Sequence, residues 1–163
     1  RAFYFSKKML VNFFVSCYIT YITNIIYIIR MIALFIQINF ESEIPIYEQL
    51  KNEIIIGIAK QQLNPGERLP SVRKLASDIG INLHTVNKAY KQLEEEGFLL
   101  IHRQRGVIIN PDGPPKADED YKKKLKETLL PIISAAKTRM IDQKEFFSII
   151  NQLYKDLGVD EHE

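Results

Sequence analysis

Five cationic side chains, Arg68, Arg73, Lys74, Lys88 and Lys91, lie between positions 68 and 91, where the only acid is Asp78. The same stretch holds Ser71, Asn82, His84, Thr85 and Asn87, whose hydroxyl, amide and imidazole groups donate and accept hydrogen bonds. Lysines and arginines neutralise phosphate oxygens, while arginine forks and amides match the edges of bases. A local patch of this kind, more than the summed charge, is what draws a chain to nucleic acid. Further on, Arg103 and Arg105 flank Gln104 just before Gly106, which permits a close turn. A short basic loop of this type can enter a minor groove. Arg68 has a second use open to it, an ion pair inside the domain to an acid such as Asp78.

Other reactive side chains lack partners. Cys17 is the only cysteine, so the chain cannot close an internal disulfide or build a thiolate zinc site, and no histidine is placed to activate it. His102 and His162 have no ligand at metal-binding spacing and read as surface histidines. Tyr90 reads as core packing. Glu94, Glu95 and Glu96 read as a solvated helix end turned away from phosphate. Lys122, Lys123, Lys124 and Lys126 alternate with Glu119, Asp120 and Glu127, as on a charged helix face. There is no phosphate-binding glycine loop, dinucleotide fingerprint or hydrolase elbow. Neither an enzyme nor a cofactor is expected.

The 163 residues carry 22 Lys and Arg against 20 Asp and Glu. Four of the cations, Arg1, Lys7, Lys8 and Arg30, stand in an acid-free first thirty; from Met31 onward 18 bases face 20 acids, a net −2. That length accommodates one core and an accessory element, not two large domains. Cysteine usage is consistent with a reducing compartment, and a cytoplasmic location is expected.

Residues 1–30 contain 21 uncharged positions between Lys8 and Arg30, long enough to span a bilayer. Asn12, Ser16, Thr20, Thr23 and Asn24 dilute their hydrophobicity, and no small-residue cleavage site follows. The segment is rich in Ile, Tyr, Phe, Asn and Lys, the residues of AT-rich codons, as translated upstream sequence would be. It is treated as a leader separate from a folded part that starts at Met31. A membrane partner is expected only if these residues belong to the natural protein.

From Met31 the periodicities become regular. A short alternating run, Ile32 to Phe40, precedes Pro45; Ile46, Leu50, Ile54 and Ile58 then recur every four residues, predicting an amphipathic helix over 46–60. Asn64-Pro65-Gly66 marks a turn. Ser71 caps a second helix over 72–79, which stops at Gly80. Asn82 to His84 cap a third, with Val86, Ala89, Tyr90 and Leu93 inward, ending before Gly97. Two short helices across a tight turn form a helix-turn-helix. Phe98–Ile101 and Gly106–Ile109 form a hairpin beside it, a wing.

The segment 111–117, rich in Pro, Gly and charge, is expected to be a linker that cannot fold alone, dividing a 31–110 domain from a 118–163 tail. The tail predicts helices over 118–139 and 143–157, the second opened by Asp142 with Glu145 three residues on. Pro131 predicts a kink or break in the first. Leu125, Leu129, Ile132, Ile133, Phe146, Ile149, Ile150 and Leu153 form apolar stripes that two such helices cannot cover alone. A homodimer interface is the expected use.

The run LNPGERLPSVRKLASDIGINLHTVNKAYKQLEEEG from Leu63 to Gly97 resembles the winged helix-turn-helix of GntR-type transcriptional regulators, with its proline-glycine, arginine, threonine-valine and alanine-tyrosine positions in register. The entry PIYEQLKNEI and the short two-helix tail resemble the family's YtrA-type branch, and the likeness spans about 40 to 157. It implies a mainly α fold with a small β-wing and a C-terminal dimerisation element. It also implies double-stranded DNA as partner, repression from a palindromic operator, and a link to an ABC-transporter operon. The implied DNA-facing set is Arg68, Ser71, Arg73, Lys74, Asn82, His84, Thr85, Asn87, Lys88, Arg103, Gln104, Arg105 and Gly106, with Arg73 matching the family's DNA-reaching arginine. Leu83 and His84 depart from relatives that carry Arg or Ser early in the third helix, so the operator does not carry over, and no effector can be named. Two other uses stay open: a winged helix that captures a protein, and a membrane-tethered regulator if the leader is genuine.

Overall fold

The computed structural model describes residues 15–22 and 36–158. Most of the leader, the run 32–35 and His162 lie outside the described residues. Residues 15–22 are helical and Cys17 is exposed. Among the described residues, no helix is long and apolar enough to cross a membrane.

From residue 36 the elements run α1 (Ile46–Ala59), β1 (Arg68–Leu69), α2 (Val72–Ile79), α3 (Leu83–Glu95), β2 (Leu99–His102), β3 (Gly106–Ile109), α4 (Glu119–Thr138) and α5 (Gln143–Asp156). The fold is therefore mainly helical with a small antiparallel sheet, of order β1-β3-β2. Leu99 pairs with Ile109 and His102 with Gly106 across the hairpin, and Arg68 pairs with Ile108 on the other edge. Strand β1 was not foreseen, because two residues show no alternation.

The four-residue spacing buries Leu50 and Ile54 of α1 against Val86, Ala89, Tyr90 and Leu93 of α3, joined by Leu75, Leu99, Val107 and Ile109. Deleting one such side chain, for example Leu93→Ala, removes contacts the rigid surroundings cannot replace and costs about 2–5 kcal/mol. The residues 36–39 form neither helix nor strand; Ile36 and Ile38 lie half-buried on this core. The Gln49 amide fastens the turn that follows, accepting from Asn39 N–H at 2.8 Å and donating to the Asn39 and Ile44 carbonyls at 3.0 and 2.7 Å.

Of the kink or break expected at Pro131, the break does not occur, since α4 continues through it. The missing N–H orphans the Glu127 carbonyl, but no residue of this helix is buried and water can satisfy it. The Asp142 side chain caps α5 by accepting from Glu145 N–H at 2.8 Å. Neither tail helix contributes to the core of the winged part.

Candidate nucleic-acid interface

Two side-chain caps and one left-handed residue set the geometry of the helix-turn-helix. The Ser71 hydroxyl accepts from Lys74 N–H and the Asn82 carbonyl oxygen from His84 N–H, so each helix starts with a donor satisfied. Between them Gly80 sits at φ 70°, a conformation that a Cβ would strain, and its N–H closes on Ala76 O. The buried Tyr90 hydroxyl donates to Pro70 O at 3.0 Å, tying the middle of α3 to the residue ahead of the α2 cap. Burial pushes this phenol well above its ordinary range, so it stays a donor.

Around that frame the cations divide. Arg73, in the first turn of α2, is exposed and makes no ion pair with a described residue; the same holds for Arg68, Lys91, Arg103 and Arg105. Lys74 is committed to Asp78 at 2.6 Å, one turn along α2. The suggested Arg68–Asp78 pair is thus not formed, because the nearer lysine holds the acid. Lys88 lies over the Tyr47 ring of α1, its Nζ 3.5 Å from the centroid. His84 is exposed at the start of α3, with Thr85 and Asn87 half-buried behind it.

The wing tip is the loop 103–105, exposed throughout, closed by Gly106 at φ 77°. It is fastened to α3 at its base, where a Glu94 carboxylate oxygen accepts from Ile101 N–H at 3.3 Å. Glu96 pairs with Lys51 of α1 at 2.9 Å. Glu94, Glu95 and Glu96 are exposed, as expected of a solvated helix end, and two of them in addition join the end of α3 to the wing and to α1. No local pattern announces either contact. Among the described residues no cluster of His, Cys, Asp and Glu could hold a metal.

The profile of the bacterial regulatory proteins of the gntR family matches residues 46–109, from the start of α1 to the end of the wing. The chain is 35% identical over 122 residues to the HTH-type transcriptional repressor YtrA of Bacillus subtilis, covering 75% of this chain and 94% of that one. The chain belongs to the GntR family. It is a DNA-binding transcriptional regulator, and its relatives are named as regulators, not enzymes. Among solved structures it is similar to a transcriptional antiterminator from Listeria monocytogenes, at a TM-score of 0.70 and 26% identity, covering 78% of this chain and 95% of that one. It is also similar to YtrA from Sulfolobus acidocaldarius, a GntR-family transcription factor, at 0.50 and 38%, covering 61% of this chain and 98% of that one. Both resemblances extend over nearly the whole of the solved chain.

Proposed function

We propose that this GntR-family chain is a repressor that binds a palindromic operator as a homodimer, reading one half-site with each winged helix. The observation that carries the proposal is the pairing of a free cationic reading surface with an unburied apolar tail. Leu125, Ile132, Ile133, Ile149 and Leu153 are exposed, Leu129, Phe146 and Ile150 only half-covered, and neither tail helix has a buried residue. A second copy supplies the missing cover most economically, since a two-fold axis makes one patch serve twice. The same stripes account for the tail without an effector pocket.

On the DNA side, α3 enters the major groove with Asn82, His84, Thr85 and Asn87 toward base edges. Arg73, without an ion-pair partner among the described residues, takes a phosphate or guanine, with Ser71, Lys74 and Lys88 alongside it and Arg68 on the flanking phosphates. Arg103, Gln104, Arg105 and Gly106 follow the adjacent minor groove. The name of the Bacillus subtilis relative supports repression as the sign. Control of an ABC-transporter operon is the regulon this branch suggests.

The test is anisotropy binding of the full chain to DNA from upstream of its own gene, against a scrambled duplex, over a salt series. Preference for the upstream duplex near physiological salt, with log affinity falling linearly in log salt, is the expected result. Equal, salt-fragile binding to both duplexes would remove the operator assignment. Arg73→Ala with Arg103→Ala and Arg105→Ala should abolish the preference; retained specific binding in that triple variant would instead remove the assigned contacts.

A further inference from the structure

The segment after the wing has the composition of a loose tether, yet it is pinned at one end to α3. Asn110 N–H continues the hairpin by donating to Phe98 O at 2.9 Å. Its side-chain Nδ2 donates to Gly97 O at 2.8 Å and to Gly113 O at 2.7 Å, while Oδ1 accepts from Asp112 N–H at 3.1 Å. One half-buried amide thereby joins Gly97, two residues past the end of α3, to the turn that follows the wing. Pro114 and Pro115 then lie directly on Gly97: a Cβ there would stand 2.7 Å from Pro115 Cδ and 3.6 Å from Pro114 Cα. Gly97 is at φ 81°, so both its conformation and its clearance require glycine. Two residues, Lys116 and Ala117, separate Pro115 from Asp118, whose side chain caps α4 by accepting from Tyr121 N–H at 2.7 Å.

From this geometry we infer that the Asn110–Gly97–Pro115 clamp sets the operator's half-site spacing by fixing the direction in which α4 leaves the reading head. The inference rests on the homodimer proposed above. In such a dimer the tails meet at the two-fold axis, and the separation of the two α3 helices is passed through the two joints. A flexible joint accepts several spacings at similar cost, because its chain entropy changes slowly with reach. The clamp removes that freedom: two prolines with fixed φ, seated on a glycine, leave two residues to absorb a change. Inserting two base pairs rotates one half-site by roughly 70° about the helix axis and moves it about 7 Å, more than a joint of that length follows without breaking the clamp. Asn110 is thus a positioning residue that touches no DNA itself.

The test uses full-length protein and its variant Asn110→Ala. A high-affinity duplex is selected by the wild type from a random pool, and zero to three base pairs are then inserted between its half-sites. Wild type should lose tenfold or more in affinity on a two-base-pair insertion. Asn110→Ala should bind the parent duplex a few-fold more weakly and vary by no more than threefold across the series. A variant that keeps the steep wild-type profile, or a wild type with a flat one, overturns the inference. Should Asn110→Ala lose its cooperative melting transition, Pro115→Gly is read in its place, since it removes the ring from Gly97 and leaves the amide bonds intact. Sedimentation separates the two levels: a monomeric wild type overturns the dimer itself, whereas a dimer with unchanged spacing preference in the variant overturns the clamp alone.

Discussion

Lys88 Nζ lies 3.5 Å from the centre of the Tyr47 ring, joining the third helix of the winged domain to the first. The ring face attracts the ammonium and limits the rotamers of a side chain that otherwise loses much entropy on binding. The Tyr47 hydroxyl donates to Glu48 Oε1 at 2.9 Å, which orients the ring in turn. Lys88 is therefore presented as an aimed charge.

Removing the ring and removing the charge should separate these effects. Exposed cation–π contacts contribute about 0.5–1 kcal/mol, so Tyr47→Leu should weaken DNA binding roughly two- to fivefold. The slope of log affinity against log salt should not change, because the charge is still present. Lys88→Ala should weaken binding to every duplex alike and reduce the slope by about 1. Anisotropy titrations at several salt concentrations check both; an unchanged slope in Lys88→Ala would remove this lysine from the phosphate contacts.

The Tyr90 hydroxyl predicts an alkaline signature. Burial raises its folded-state pKa above the unfolded value near 10. A raised pKa contributes stability that is fully present below the unfolded value and is lost as pH climbs above it. Tyr90→Phe should cost about 1–3 kcal/mol at pH 7, because Pro70 O loses its buried donor. Above about pH 10 the gap between wild type and variant should narrow, since only the wild type has this phenol to ionise. Urea midpoints at pH 7, 9 and 11 measure the gap, and one that stays constant to pH 11 contradicts the assignment.

Glu94 governs the base of the wing through one hydrogen bond to Ile101 N–H. Strand β2 is an edge strand, and this amide has no strand to donate to on its open side. Glu94→Ala should speed hydrogen exchange at Ile101 by about fivefold, an amount in line with losing a bond of roughly 1 kcal/mol. Glu94→Gln keeps an acceptor in place and should preserve the protection. Equal exchange in wild type and both variants would show that the wing base is held by packing alone.

The helices were legible because their signals are local. Ser71 and Gly80 bracket α2 at its observed ends, and the four-residue recurrence of Leu50 and Ile54 marks the buried face of α1. The contacts that join elements were not legible, since Lys88 meets Tyr47 across 41 positions and Lys51 meets Glu96 across 45. At the linker, proline, glycine and charge marked 111–117 as a segment without helix or strand, but they could not show that one asparagine just ahead of it reaches a glycine 13 residues back. At Pro131 the helix does not break, because an exposed helix can leave a carbonyl to water. The exposed cationic patch was legible as charge. Which cations remain free was decided only by the fold, as Lys74 and Asp78 show.

The tail carries the last prediction. Ile133 is 44% exposed near the middle of α4, beside Ile132 and Leu129, with no described segment of its own chain to cover it. A carboxylate there would have to be desolvated twice in a two-fold interface, once from each copy, with no cation specified to meet it. Ile133→Asp should therefore weaken self-association by at least tenfold in sedimentation, while the amide spectrum of the winged core, which contains no tail residue, stays as in wild type. Each reading head would then bind its half-site alone, and the loss of the linked second contact should lower operator affinity by about a hundredfold. An Ile133→Asp chain that sediments and binds the operator as wild type does would place the self-association surface off the α4 stripe, and a Leu153→Asp variant then asks the same of α5.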